Sequence, residues 1–164
     1  MTIAAVTPQR HFEDVSVGDE LEPVDFPLSV YRLVMAAGSN RDFNSIHHNT
    51  EYARTTGAPE MYANTLFLLG MWERAVRDYI GLAGTVVSVK GFRMGRFNTV
   101  GDTTRVQGRV VSTRIDDSAG LVELELRSAN SLGVTVGPGQ VVVTLPRRSL
   151  NGRSTSTVGN TAHV

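Results

Sequence analysis

The chain has 164 residues, a length that suits one compact domain with a modest core and leaves little room for a second. With 41% apolar and 20% charged residues it patterns as a globular chain, and its longest nearly apolar stretch, Met61 to Trp72, is too short to cross a bilayer. Sixteen basic and sixteen acidic residues cancel, which removes the electrostatic case for nucleic acid or an anionic membrane as partner. The absence of cysteine excludes disulfides, thiol nucleophiles and thiolate metal sites.

The charges are unevenly spread. Residues 1–28 carry six acids against Arg10, whereas residues 61–164 carry twelve bases against seven acids, a balance that favours an anionic small ligand in the later part. The opening MTIAAVTPQRHFEDV lacks a basic region followed by an apolar one, so a cytoplasmic location is expected.

In chain order, residues 1–11 read as a flexible arm, 12–147 as a single folded domain and 148–164 as a disordered tail of small polar residues. Val30 to Ala37 is a short predicted helix with Ser29 as N-cap and Gly38 just past its end. Asn40 to Asn49 is a polar loop, and Thr50 to Thr56 gives one or two helical turns. A long helix is predicted from Pro59 to Tyr79, before Gly81 and Gly84, and its first half is apolar nearly all round, which predicts burial on most sides. Strands are predicted over Thr85 to Met94, Thr103 to Arg114, Leu121 to Ser128 and Val134 to Leu145, joined by short turns into an antiparallel meander. Gly137-Pro138-Gly139 would interrupt pairing and predicts a bulge or bend. One buried helix followed by long antiparallel strands makes an α+β layer in which the sheet curls around the helix.

Reactive side chains are densest in the loop Arg41-Asp42-Phe43-Asn44-Ser45-Ile46-His47-His48. A curved loop can aim Asp42 and His47, five residues apart, at one water and let the pair exchange protons with it. The same residues also suit a purely structural role, with Asp42 capping a turn, Asn44 binding backbone amides and both histidines solvated. Adjacent His47 and His48 point in different directions and lack a third close ligand in sequence, so no metal site is assigned. No Gly-x-Ser-x-Gly elbow, Walker loop or Gly-x-Gly-x-x-Gly turn is present. Trp72, Phe67 and the methionines of the long helix are expected in the core. Arg93 and Arg96, on a strand and the turn after it, are placed to meet a phosphate or else are exposed arginines with no such role.

The stretch Asp42-Phe43-Asn44-Ser45-Ile46-His47, followed by Glu51-Tyr52-Ala53, resembles the Asp-x-Asn-Pro-x-His hydratase signature of the MaoC-like dehydratases and (R)-specific enoyl-CoA hydratases. Phe12 to Asp19 resembles the family's opening segment, and Phe92-Arg93 with Gly101-Asp102-Thr103 resembles its later strand and turn. The version with Arg41-Asp42 and His47-His48, together with Asn64 to Tyr79, is similar to actinobacterial members, some of which act on steroid side-chain CoA esters with a paired subunit.

The resemblance implies a hotdog fold, an antiparallel β-sheet wrapped around a long central α-helix, and addition of water to a trans-2-enoyl thioester or the reverse dehydration. It places the catalytic roles on Asp42 and His47, the backbone donor to the thioester oxygen at Asn64, and loop support on Asn44. No metal or redox cofactor is implied. The implied substrate is an acyl-CoA or acyl carrier protein thioester. The implied assembly is a homodimer or higher oligomer, or a heteromer with a related hotdog chain, because one curled sheet leaves its edges open. This sequence departs from the family pattern at Arg41 and Asn64, where glycine is usual, and at Ser45, where proline is usual. A hotdog acyl-CoA thioesterase, or a partner subunit whose chemistry lies on another chain, are the competing readings.

Overall fold

The computed structural model describes residues 8–116 and 119–148. Its centre is the helix α3, Thr65–Ile80, whose buried residues Leu68, Met71, Trp72, Ala75, Val76, Tyr79 and Ile80 recur at helical spacing and form one stripe against the sheet. α3 begins six residues later than the predicted Pro59. The Asn64 side chain accepts the N–H of Phe67 at 2.8 Å and sets the N-cap. Residues 61–63 are instead held extended, with Ala63 N–H donating to Asn98 O and Val100 N–H to Met61 O. Asn98 is itself fixed by the Thr104 and Thr135 hydroxyls, which donate to its side-chain oxygen at 3.0 and 2.9 Å.

Five antiparallel strands pack against one side of this helix: β1 Val24–Pro27, β2 Thr85–Lys90, β3 Thr103–Asp116, β4 Ala119–Asn130 and β5 Gly133–Leu145, in the spatial order β1-β3-β4-β5-β2. The predicted four-strand meander holds only for β3, β4 and β5. β2 lies against β5 at one edge, and residues 91–102 carry the chain across to β3. β1, which the sequence reading did not contain, covers the β3 edge; its Asp25 stands opposite Arg105, which grips the carboxylate at 2.6 and 2.7 Å and holds it below its ordinary pKa. Opposite Arg127 of β4, Gly137 and Pro138 form the expected bulge, since Leu126 faces Gly139 while Ser128 faces Val136. Gly137 has φ +83°, and a Cβ there would lie 2.9 Å from Leu126 O.

The core is filled by Val106, Val110, Leu124, Leu126, Val141 and Val143 of the sheet against α3. Trp72 is fully buried, edge-on to Phe92, and its indole N–H donates to the buried Ser128 hydroxyl at 2.8 Å. The expectation that the first half of α3 is buried on most sides is not met: Leu66 is 56% exposed and Gly70 is exposed, because the sheet reaches only one side of the helix.

α1, Val30–Ser39, starts at Ser29, whose hydroxyl accepts the N–H of Arg32, and runs two residues past the predicted Ala37. Its end is closed by Asn40 N–H to Ala36 O and Asp42 N–H to Ala37 O, with Arg41 in the left-handed region at φ +54°. α2 spans Thr50–Thr55, one residue short of the predicted end.

Residues 1–7 of the expected arm lie outside the described residues, as does Ser149–Val164 of the expected tail. Gln9 and Arg10 are tied down: Gln9 bridges Ile80 O and Ala83 N–H, and Arg10 donates to Tyr79 O and sits 4.1 Å over the Tyr79 ring. Phe12 N–H donates to Pro146 O at 3.0 Å, and Arg148 pairs with Asp14. Among the described residues no helix is long and apolar enough to cross a membrane.

Two substitutions probe this frame. Ser128→Ala leaves the Trp72 N–H buried without a partner and is expected to cost about 1–3 kcal/mol in urea unfolding. At Arg41 the left-handed backbone costs a non-glycine residue about 1–2 kcal/mol, against about 0.5–1 kcal/mol of extra chain entropy for glycine. Arg41→Gly should therefore raise stability by up to about 1 kcal/mol in thermal unfolding, and Arg41→Val should lower it.

Candidate active site

The end of α1 and the start of α3 meet at the loop of residues 40–49. Asp42 is seated by its own N–H on Ala37 O, so its carboxylate leaves the helix end in a fixed direction. Asn44 then accepts the N–H of Ile46 with its side chain at 3.2 Å and starts a single 3₁₀ turn, Ser45–His47. That turn folds the chain back and brings the imidazole of His47 to the Asp42 carboxylate, with Nε2 3.1 Å from Oδ2. His47 is buried, its side chain 7% exposed, whereas Asp42 retains 38%, so the pair is open to solvent on the carboxylate side. His48 points elsewhere and is exposed.

The other ring nitrogen settles which proton is fixed. Nδ1 of His47 lies 2.8 Å from the backbone oxygen of Tyr62, and a carbonyl can only accept, so Nδ1 carries the hydrogen. Nε2 then faces Oδ2 at 3.1 Å, a hydrogen-bond distance at which the two atoms share one exchangeable proton directly. Tyr62 also packs edge-on against the His47 ring, at 5.4 Å between centroids, and tilted against Phe97. Burial, together with the nearby charge of Asp42, pushes the Tyr62 phenol above its ordinary pKa.

Tyr62, which contacts His47 through its carbonyl and its ring, is a candidate-site residue that the sequence reading did not contain. With the long helix begun at Pro59, its carbonyl would have belonged to the helix ladder. Tyr62 N–H donates to Ile46 O, so the segment before α3 and the loop of residues 40–49 are joined in both directions.

Asn64 is 4% exposed, and its side-chain oxygen accepts both Phe67 N–H and Asn40 Nδ2–H, the latter at 3.2 Å. The side chain is thus folded back onto the helix as its cap. No acceptor among the described residues takes the backbone N–H of Asn64, Thr65 or Leu66, so the positive end of α3 has donors to offer. The Asn64 Nδ2 is also without a partner among the described residues. Asn44, by contrast, is exposed and supports the loop, its side-chain oxygen accepting from Ile46 N–H and its carbonyl from His47 N–H.

The structure does not give Asp42 the turn-capping role left open by the sequence: its carboxylate faces His47. Arg96 donates to Leu132 O, which engages one of the two arginines considered for a phosphate. Among the described residues, no group of three or more His, Asp or Glu side chains could hold a metal ion. The arrangement can bind a water, move a proton at Nε2 or Oδ2, and donate backbone hydrogen bonds to a nearby oxyanion.

No protein-family model matches the chain. The chain is 31% identical over 101 residues, 62% of its length and 74% of the relative's, to the 3-oxo-4,17-pregnadiene-20-carboxyl-CoA hydratase beta subunit of Mycobacterium tuberculosis. Among solved structures, it is similar to a chain of the ChsH1–ChsH2 complex from M. tuberculosis, with a TM-score of 0.71, 26% identity, and coverage of 80% of this chain and 98% of that one. The (R)-hydratase PhaJ1 from Pseudomonas aeruginosa shares the fold with a TM-score of 0.74 at 19% identity, over 91% of this chain and 96% of that one. The curled five-stranded sheet around α3 is accordingly a hotdog fold. From the Asp42–His47 signature, this architecture and the extent of the match to the curated relative, the chain belongs to the family of MaoC-like dehydratases and (R)-specific enoyl-CoA hydratases.

Proposed function

We propose that the protein adds water to a trans-2-enoyl thioester of coenzyme A, or removes it from the 3-hydroxyacyl thioester, with Asp42 and His47 as the acid/base pair. The observation that carries this reading is the 3.1 Å contact between Asp42 and an imidazole whose other nitrogen is held by Tyr62 O. A water bound beside the pair, within reach of both Oδ2 and Nε2, gives one of them a proton as its oxygen bonds to C3. The electron pair of the C2–C3 double bond moves toward the thioester oxygen, and C2 gains a proton from the pair. Negative charge on the thioester oxygen is met by the backbone N–H of Asn64, aided by the α3 dipole. Dehydration runs the same steps backward, with C2 losing the proton and the C3 oxygen leaving as water.

Coenzyme A as carrier, and a second hotdog chain as partner, are supported by relatives described as a CoA-ester hydratase subunit and as part of a two-chain complex. β2 lies at a sheet edge with Val87 and Val89 exposed, which gives such a partner a place to pair. A native mass of one chain at micromolar concentration, by light scattering, would remove this part of the reading. Thioester cleavage is separated from hydration by a thiol reagent: released thiol points to a thioesterase, and loss of enoyl absorbance without thiol to a hydratase.

Asp42→Asn and His47→Asn should each lower kcat by about 10²- to 10⁴-fold, roughly 3–5 kcal/mol of transition-state stabilisation, with the fold intact by circular dichroism. The losses should not add, because both residues act on one water. His48→Asn, on the exposed neighbour, should change kcat little. Equal activities for the His47 and His48 variants on a thioester that the unmodified protein hydrates would overturn the assignment.

A further inference from the structure

The peptide unit that joins Tyr62 to Ala63 is bonded at both ends. Its oxygen faces Nδ1 of His47 at 2.8 Å, and its N–H donates to Asn98 O at 2.9 Å. A trans peptide is planar, so a partner that fixes the direction of the N–H also fixes the direction in which the carbonyl points. The bonds from Val100 N–H to Met61 O and from Tyr62 N–H to Ile46 O belong to the preceding peptide unit, which leaves this one to Asn98 and His47.

Asn98 lies between β2 and β3 and is fully buried. Its side-chain oxygen accepts the hydroxyls of Thr104 in β3 and Thr135 in β5, at 3.0 and 2.9 Å, so that one residue is tied to the two strands that flank β4. Both threonines are buried as well. The side-chain nitrogen of Asn98 is buried without a partner among the described residues. A buried amide left half unpaired is destabilising, and apolar residues of the same shape would fill the space at less cost. Stability alone therefore does not call for an asparagine at this place.

We propose that Asn98, held by Thr104 and Thr135, is a positioning residue for the Asp42–His47 pair: it anchors the Tyr62–Ala63 peptide to the sheet, and thereby keeps the hydrogen of the neutral imidazole on Nδ1 and turns Nε2 to Asp42. The bonds run in series from two strands through one side chain, one backbone oxygen and one peptide unit to the ring, and each polarises the next. The kinetic consequence rests on the hydratase reading. The placement of the imidazole hydrogen is a property of the resting protein and does not.

Two full-length variants separate positioning from stability. Thr104→Ser with Thr135→Ser keeps both hydroxyls and gives up two buried methyl groups, so it should lower Tm. Asn98→Leu with Thr104→Val and Thr135→Val replaces the cluster by apolar groups of similar shape and leaves no side-chain donor unpaired, so it should hold Tm near that of the unmodified protein. The neutral imidazole is read by ¹⁵N NMR, with the His47 signals identified by their loss in His47→Asn. The Nδ1–H form should predominate in the unmodified protein and in the serine pair. The apolar triple variant should shift toward the Nε2–H form and lower kcat by more than about tenfold, on a scale where an ångström of misplacement costs roughly 100-fold, with KM little changed. A tautomer ratio that follows Tm, one that stays unchanged in the triple variant, or one that moves while kcat does not would overturn the proposal. Thr104→Val alone removes one of the two donors and should move the same signals in the same direction by less; should the triple variant not fold, unmoved signals in Thr104→Val sink the idea instead. A moved tautomer in a protein that hydrates no thioester keeps the positioning of His47 and discards the hydratase, whereas hydration with an unmoved tautomer does the reverse.

Discussion

The side-chain oxygen of Asn64 accepts two hydrogen bonds, one from the Phe67 amide and one from Asn40, and most of the geometry of the candidate site depends on that pair. By capping α3 at residue 64 it keeps residues 61–63 out of the helix. The Tyr62 carbonyl is then free of any intrahelical partner and turns to His47. By holding Asn40 it fastens the end of α1, from which Asp42 projects two residues later. The carboxylate of Asp42, the imidazole of His47 and the start of α3, which lies well beyond them in the chain, are thereby fixed in one frame.

The cost of this frame falls on Arg41. The chain has to reverse between the last turn of α1 and Asp42, and it does so through a left-handed residue, a position for which glycine is the inexpensive solution. The family's usual glycine before the aspartate has a local reason of this kind, and the arginine here tolerates the same backbone at the expense of strain. Ser45, where proline is usual, begins the 3₁₀ turn that Asn44 caps, so the turn is maintained by a side-chain hydrogen bond rather than by a fixed φ.

Local signals in the sequence were reliable wherever one residue type decides the outcome. Ser29 as cap, the bulge at Gly137-Pro138, the long strands and the loop bearing Asp42 and His47 all depend on such residues or on simple periodicity. The start of α3 is illegible in sequence because the nearly apolar stretch Met61 to Trp72 runs through Asn64 with no proline or glycine beside it to mark a break, and only the pairing of residues 61–63 with 98–100 shows where extended chain gives way to helix. β1 has four residues, with Asp25 and Pro27 among them, too few for alternation to register. The placement of β2 beside β5 is a long-range choice that no local pattern encodes. In the site, residue types and spacing suggested Asp42 and His47, but the Tyr62 contribution is a backbone carbonyl, and a main-chain group leaves no mark on residue identity.

The hydrogen bond from Phe12 to Pro146 and the Arg148–Asp14 pair bring the two ends of the folded region side by side. The architecture is therefore close to a closed ring, with a seam at residues 12 and 146 that lies far along the chain from the Asp42 loop. A short linker across that seam and a cut in the turn at residues 131–132 would yield a circular permutant with the same sheet order. Such a rearrangement would change the order in which strands become available during synthesis while leaving the finished packing of α3 untouched.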